Sequence, residues 1–481
     1  MLLVLEGVCG VCGWGSPRES EDPFVGFAAI HPLFVPSEDG ARYEVPPSRR
    51  RFFAAESFPA EKGPRDRRIF CLGGSTVQGN PYSIATSFTT WLELALNVAD
   101  EDHNWDAINC GGISYASYRL VPILEECLRH EPDLIVLCTG QNEFLEDRTY
   151  GKLRESPWTA SPVWLWLAER RVVNVVRGLI EPLSRRLRHD AAGSDTLQPA
   201  TILAADTEPM LDYHNGLAAY HRDDAWREGV MRHYALNVQR MVRSATRAGV
   251  PVILMQPSCN LRDCPPFKWE LPEHVSEQLR AEWESLVGRA HQQLSTDPLA
   301  GLTTLERALQ IDPDNPWAWY LTGQCSDRLL DYGRARTAYV RAKDCDVCPL
   351  RILTPMEADL RRLAEREHVP LLDIHALLES RSPTGILGND WLVDHIHPSI
   401  EGHQLIGETL VPMVAAVCRL KLVERWETPA RAEFAKHFAS LPSGYFLSGQ
   451  NHLRGLRAWS QGRADGPPAA ARYPHRITEQ P

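Results

Sequence analysis

Five short apolar runs constrain the fold more than any other feature of the chain: Ile69–Leu72, Trp105–Asn109, Leu134–Cys138, Val252–Met255 and Val369–Asp373. Each suits a strand buried on both faces and is too short for a helix of ordinary length. Between them lie stretches with helical spacing, Phe88–Val98, Tyr118–His130, Trp226–Arg247 and Glu357–Glu367. Such alternation predicts an α/β fold with a five-stranded parallel sheet covered by helices on both faces. In a sheet of this kind ligands bind beyond the carboxyl ends of the strands, so chemistry is expected in the residues that follow each run.

Four blocks stand at those places. Gly73-Gly74-Ser75 follows the first run, and "NCGGISYASYR" (109–119) follows the second. Gly140-Gln141-Asn142-Glu143 follows the third, and "DHIHP" (394–398) lies about 20 residues past the fifth. Singly each has a bland reading: a turn, a helix cap, a loop histidine. Together they supply a hydroxyl, an imidazole base, a carboxylate to orient it and neutral donors for an oxyanion, which are the parts of acyl transfer. Asp394 and His397 are three apart, and one helical turn or a tight loop puts both on the same side. The G-x-G-x-x-G spacing of a dinucleotide site is missing from "GGSTVQG", which disfavours a nucleotide-binding reading.

With these blocks in order, the chain resembles the SGNH hydrolases, the GDSL-type esterase and lipase superfamily. The likeness covers roughly 66–150, 225–265 and 355–418, and is nearest to bacterial members that carry tetratricopeptide repeats. It implies a flavodoxin-like three-layer αβα fold and a serine ester hydrolase. Ser75 would be the nucleophile, His397 the base and Asp394 its partner. The oxyanion would be held by the N–H groups of Ser75 and Ser114 and by the Asn142 amide. Three departures stand out. Gly74 replaces the family's Asp, Glu143 follows Asn142 where Asp is usual, and Ser114 takes the place of the usual oxyanion glycine, with Gly111 or Gly112 as the alternative donor.

Substrate contacts are expected from Tyr115, Arg119 and Arg262, with Asn260, Lys268, Arg351, Tyr118 and Trp391 as further candidates. Cations at the crevice would suit an anionic or sugar-rich ester, such as an O-acetylated carbohydrate. The same residues serve an O-acyltransferase equally well. A protein-interaction scaffold built on the helical repeats is the alternative of a different class.

Two insertions interrupt the alternation, so the domain that carries the blocks is expected over 66–269 and 349–420, after an N-terminal extension over 1–65. The first insertion, 145–222, contains "PVWLWLAERRVVNVVRGLIEPLSRRLR", an amphipathic helix with an Arg-rich side that either packs on the domain or lies on a membrane surface, followed by a Gly/Ser/Asp-rich loop. The second, 270–348, carries Trp319, Gly323, Ala335, Tyr339 and Ala342 at the offsets of a tetratricopeptide unit, with Ala308 thirty-four residues before Ala342. Two such units are marginal alone and are expected to lean on the main domain or on C-terminal helices over 421–463. The end, 464–481, reads as a disordered tail.

A formal net charge of -11 disfavours nucleic acid as a partner. The Cys9/Cys12 and Cys345/Cys348 spacings lack the further ligands of a zinc site, so no metal or cofactor is expected and reduced thiols are. The apolar start, "MLLVLEGVCGVCGWG", is shorter than the roughly 20 residues that span a bilayer, and reads as a buried terminus or the remnant of an anchor. Location is left open between cytoplasm and bacterial cell envelope.

Overall fold

The computed structural model describes residues 32–145 and 220–460, with Leu217 and the paired strands Val25–Phe27 and Thr201–Leu203. The amphipathic helix expected in 145–222, the loop after it and the tail 464–481 lie outside the described residues.

Five parallel strands form the central sheet: β1 (Asp66–Gly73), β2 (Asn104–Gly111), β3 (Leu134–Cys138), β4 (Val252–Gln256) and β5 (Leu371–Asp373). Their order is β5-β4-β3-β1-β2, with the first strand inside and the chain winding outward in both directions. Strands β1 and β2 run longer than their apolar cores, and β5 starts two residues later than its run suggests.

Alternation along β1 divides the core into two layers. Phe70 and Leu72 face one cluster, shared with α3 (Ser117–Cys127), α4 (Asp224–Arg247) and α9 (Thr354–Glu367). Ile69 and Cys71 face the other, shared with α2 (Phe88–Ala99), α10 (Ile374–Glu379) and α11 (Ile400–Cys418). Buried on both faces, such strands need no polar alternation, which is why they read as continuous apolar runs. The N-terminal extension adds a small antiparallel sheet, Val35–Pro36, Arg42–Glu44 and Ser57–Pro59, whose neighbouring phenylalanines join the first cluster.

Register positions the site. Gly73 pairs with Gly111 on one side and with Cys138 on the other, so β1, β2 and β3 end at one height. Just beyond this rim lies α1 (Ser75–Gln78).

The second insertion folds as two antiparallel hairpins: α5 (Glu277–Thr296) with α6 (Pro298–Ile311), and α7 (Pro316–Arg328) with α8 (Tyr332–Asp344). Gly323 lies against the Tyr339 ring, where a β-carbon would come within 2.6 Å, so a small residue is needed for this pair to close. The hairpins lean on the main domain through the segments 259–268 and 343–357. Helices α12 (Glu427–Ser440) and α13 (Ser443–Ser460) pack elsewhere, against α2 and the loop after α1. Among the described residues no helix is long and apolar enough to cross a membrane.

Candidate active site

Ser75 opens α1 at the carboxyl end of β1, and the helix N-cap before it is Gly74. A β-carbon on Gly74 would stand 2.5 Å from Asn142 Nδ2, so the glycine lets the Asn142 amide come close to the serine. That amide is fixed by donating to the Tyr115 carbonyl at 3.1 Å. The segment around it is held from both sides. Gln141 donates to the Ser258 carbonyl and accepts from Thr76 Oγ1, both at 2.8 Å. Buried Glu143 accepts from the Ser117 N–H at 3.0 Å and the Ser117 hydroxyl at 2.7 Å. Burial pushes the Glu143 carboxyl up, with the Ser117 hydrogen bonds working against it.

Asp394 and His397 share a tight loop closed by an antiparallel bridge between Leu392 and Pro398 and by the Val393 N–H donating to the His397 carbonyl. Asp394 Oδ1 accepts the backbone N–H groups of Ile396 and His397, which turns the loop back on itself. Three-residue spacing therefore works here as a side-chain-capped turn, not as a helix. Asp394 Oδ2 lies 2.6 Å from His397 Nδ1, and His397 Nε2 lies 2.8 Å from Ser75 Oγ. The carboxylate requires the proton on Nδ1, which leaves Nε2 to accept from the serine hydroxyl.

All three groups are buried, with Ser75 7% exposed and His397 2%. Burial opposes ionisation of Asp394, yet the neighbouring imidazoles and the His397 hydrogen bonds outweigh it and hold the carboxyl well below the usual range. Two more histidines flank His397. Burial pushes His395 down to about 4 and His403 down to about 3, and His397 adds to both shifts, so neither competes for the proton near neutrality.

Backbone donors meet at the same place. Gly111 N–H donates to Asn109 Oδ1, Gly112 to the Gly73 carbonyl, Ile113 to Phe52 and Tyr115 to Gly112. Ser114 N–H alone in this stretch donates to no acceptor among the described residues. Its φ of 60° lies in the left-handed region, where glycine sits without strain. Of the two donors left open by the sequence, Gly111 and Gly112, both are occupied.

The residues expected to contact substrate have partners within the protein. Tyr115 is 3% exposed, its hydroxyl accepting from Arg49 and its ring packed against Phe53. Arg119 is buried over the face of that ring, 5.5 Å from its centre. Arg262 forks onto Asp327 of α7 at 2.6 and 3.1 Å. Lys268 pairs with Glu270, and Tyr118 stacks on His233. Arg262, in a loop after a strand, looks free in sequence, whereas its partner lies 65 residues away.

No protein-family model matches the chain, and no match is found among curated proteins. Solved hydrolases are similar to it. The acetylxylan esterase Axe2 of Geobacillus stearothermophilus is 11% identical, covering 75% of this chain and 97% of its own, with a TM-score of 0.32. The lipase/acylhydrolase of Enterococcus faecalis is 12% identical, covering 74% and 99%, with a TM-score of 0.31. LAE5, an α/β hydrolase enzyme from the metagenome of Lake Arreo, Spain, is 13% identical over 73% and 94%, with a TM-score of 0.32. At such identities and TM-scores none of them decides what this chain does. Among the described residues no group of His, Cys, Asp and Glu is arranged to hold a metal ion.

Proposed function

We propose that the chain is a serine ester hydrolase acting on a carboxylic ester, with an O-acetylated carbohydrate or another small acyl ester as its substrate class. The observation that carries this is the hydrogen-bonded run from Ser75 Oγ through the His397 ring to Asp394, at 2.8 and 2.6 Å. A nucleophile within hydrogen-bond reach of a base that a third group orients is the arrangement acyl transfer requires.

The geometry supports a two-step acyl transfer. Ser75 Oγ attacks the ester carbonyl as His397 Nε2 takes its proton, and Asp394 stabilises the imidazolium that forms. The carbonyl oxygen becomes an oxyanion, held by the N–H groups of Ser75 and Ser114 and by Asn142 Nδ2. Donors of this kind are typically worth about 3 kcal/mol of barrier each. Collapse of the tetrahedral intermediate expels the alcohol, which takes the proton from His397. Water, deprotonated by the same imidazole, then attacks the acyl-serine, and collapse of that second intermediate releases the acid as Ser75 Oγ regains its proton from His397.

Replacing Ser75 by Ala leaves nothing to acylate. Turnover of p-nitrophenyl acetate by Ser75→Ala is expected to fall by at least about a thousandfold. A variant that kept most of its activity would refute the assignment. The assay is run with and without an added oligosaccharide acceptor, so that acyl transfer to a sugar hydroxyl would register as transesterified product.

A further inference from the structure

Just past β4 stands a residue whose polar groups are spent on other parts of the site. Asn260 is 1% exposed. Its backbone N–H donates to the His395 carbonyl at 2.8 Å. Its Nδ2 donates to the Asp394 carbonyl at 3.0 Å and to Asn389 Oδ1 at 2.9 Å. Its Oδ1 accepts the Asp263 N–H at 2.9 Å, and its carbonyl accepts from Arg351 Nη1 at 2.9 Å. Two consecutive carbonyls of the segment that carries the carboxylate and the imidazole thus hang on this one residue.

The segment is a loop, closed by the Leu392–Pro398 bridge, the Val393 N–H on the His397 carbonyl and the Asp394 side-chain cap, and it must hold His397 within hydrogen-bond reach of a serine presented by a different strand. A misplacement of about 1 Å in such a group costs on the order of a hundredfold in rate.

We propose that Asn260 is a positioning residue for the Asp394–His397 pair, held in turn by Arg351 at the base of the helical insertion. The role rests on the serine-hydrolase reading of the site. Arg351 suits its part, being buried, donating also to the Cys264 carbonyl at 2.9 Å and lying 3.5 Å from Asp346. A carboxamide is needed at 260 because the side chain must donate toward Asp394 and Asn389 while accepting from Asp263. Aspartate has the same shape but would turn a carboxylate oxygen toward two acceptors.

The test compares Asn260→Asp, Asn260→Ala and Asn389→Ala with the wild type. It reads kcat and KM on p-nitrophenyl acetate, the rate of serine phosphonylation by a fluorophosphonate, and the low-field proton resonance of the His397–Asp394 hydrogen bond. Both Asn260 variants are expected to lose about ten- to a hundredfold in kcat and phosphonylation rate, with KM within about twofold of wild type. The resonance should broaden or move upfield in parallel. Folded Asn260 variants with wild-type kcat and an unchanged resonance, or with a loss carried by KM alone, would overturn the proposal. Should neither variant fold, the exposed Asn389→Ala decides: a two- to threefold fall in kcat at constant KM supports it, and wild-type kcat overturns it. A wild-type resonance that responds to Asn260→Asp in a protein no fluorophosphonate labels would sink the hydrolase reading and leave the positioning role standing.

Discussion

At residue scale, the two departures from the expected pattern nearest the serine have physical counterparts. Ser114 adopts the left-handed backbone that glycine adopts without cost, and among the described residues its N–H makes none of the hydrogen bonds that occupy its neighbours. Gly74 leaves the space that the Asn142 amide fills. Because the atom a β-carbon would strike is the tip of a side chain, Gly74→Ala should barely change stability but should displace the amide. The expected result is a fall in kcat of about a hundredfold, the loss of one oxyanion donor, with the unfolding midpoint nearly unchanged. Wild-type kcat in a folded Gly74→Ala protein would remove Asn142 from the reaction. The blocks holding Ser75, Asn142, Asp394 and His397 were legible because residues after parallel strands converge whatever the intervening loops do. Tyr115, Arg119 and Arg262 were not, since Arg49 and Asp327 decide where they point, and no local pattern announces such partners.

At the scale of elements, β2 is an edge strand, and an open edge is a template for pairing with another chain. Here the outward N–H groups of Ala107 and Asn109 donate to the carboxylates of Glu93 and Glu56, at 2.9 and 3.0 Å. Burial pushes the Glu93 carboxyl up to about 7, the Ala107 N–H works against it, and the charges of Asp106 and Glu56 add to it. The protonated form is therefore the one the fold prefers. The stability it brings is full below an unfolded value near 4.5 and is lost as pH rises through about 7. Glu93→Gln keeps the acceptor and cannot ionise. Wild type should lose about 1–3 kcal/mol relative to Glu93→Gln between pH 5 and pH 8, as read from denaturant unfolding at each pH. Parallel pH profiles for the two proteins would show that Glu93 ionises normally. The strands themselves were visible as apolar runs. Their protected edge was not, because Glu56 comes from the N-terminal extension and Glu93 from a helix.

For the whole molecule, the helical insertion is tied to the main domain at its base. Buried Lys343 of α8 donates to the Ile352 carbonyl at 2.8 Å and pairs with Glu357 of α9 at 3.1 Å. Arg336 of the same helix forks onto Glu379 of α10. Hairpins were foreseeable from aromatic and small residues at repeat offsets, whereas Lys343 in sequence looks like any solvated cation. The C-terminal helices were foreseeable too, but not their berth: Tyr445 meets Thr86 and His452 meets the Pro81 carbonyl, bracing the loop that follows the serine helix. Under the proposed hydrolase reading, this packing serves to present the Ser75 hydroxyl to His397. The most direct test is to react the folded full-length protein with a fluorophosphonate probe and identify the modified residue by peptide mapping. A single adduct on Ser75, lost when His397 is replaced by Ala, is the predicted result; no adduct, or one on another residue, would contradict the account.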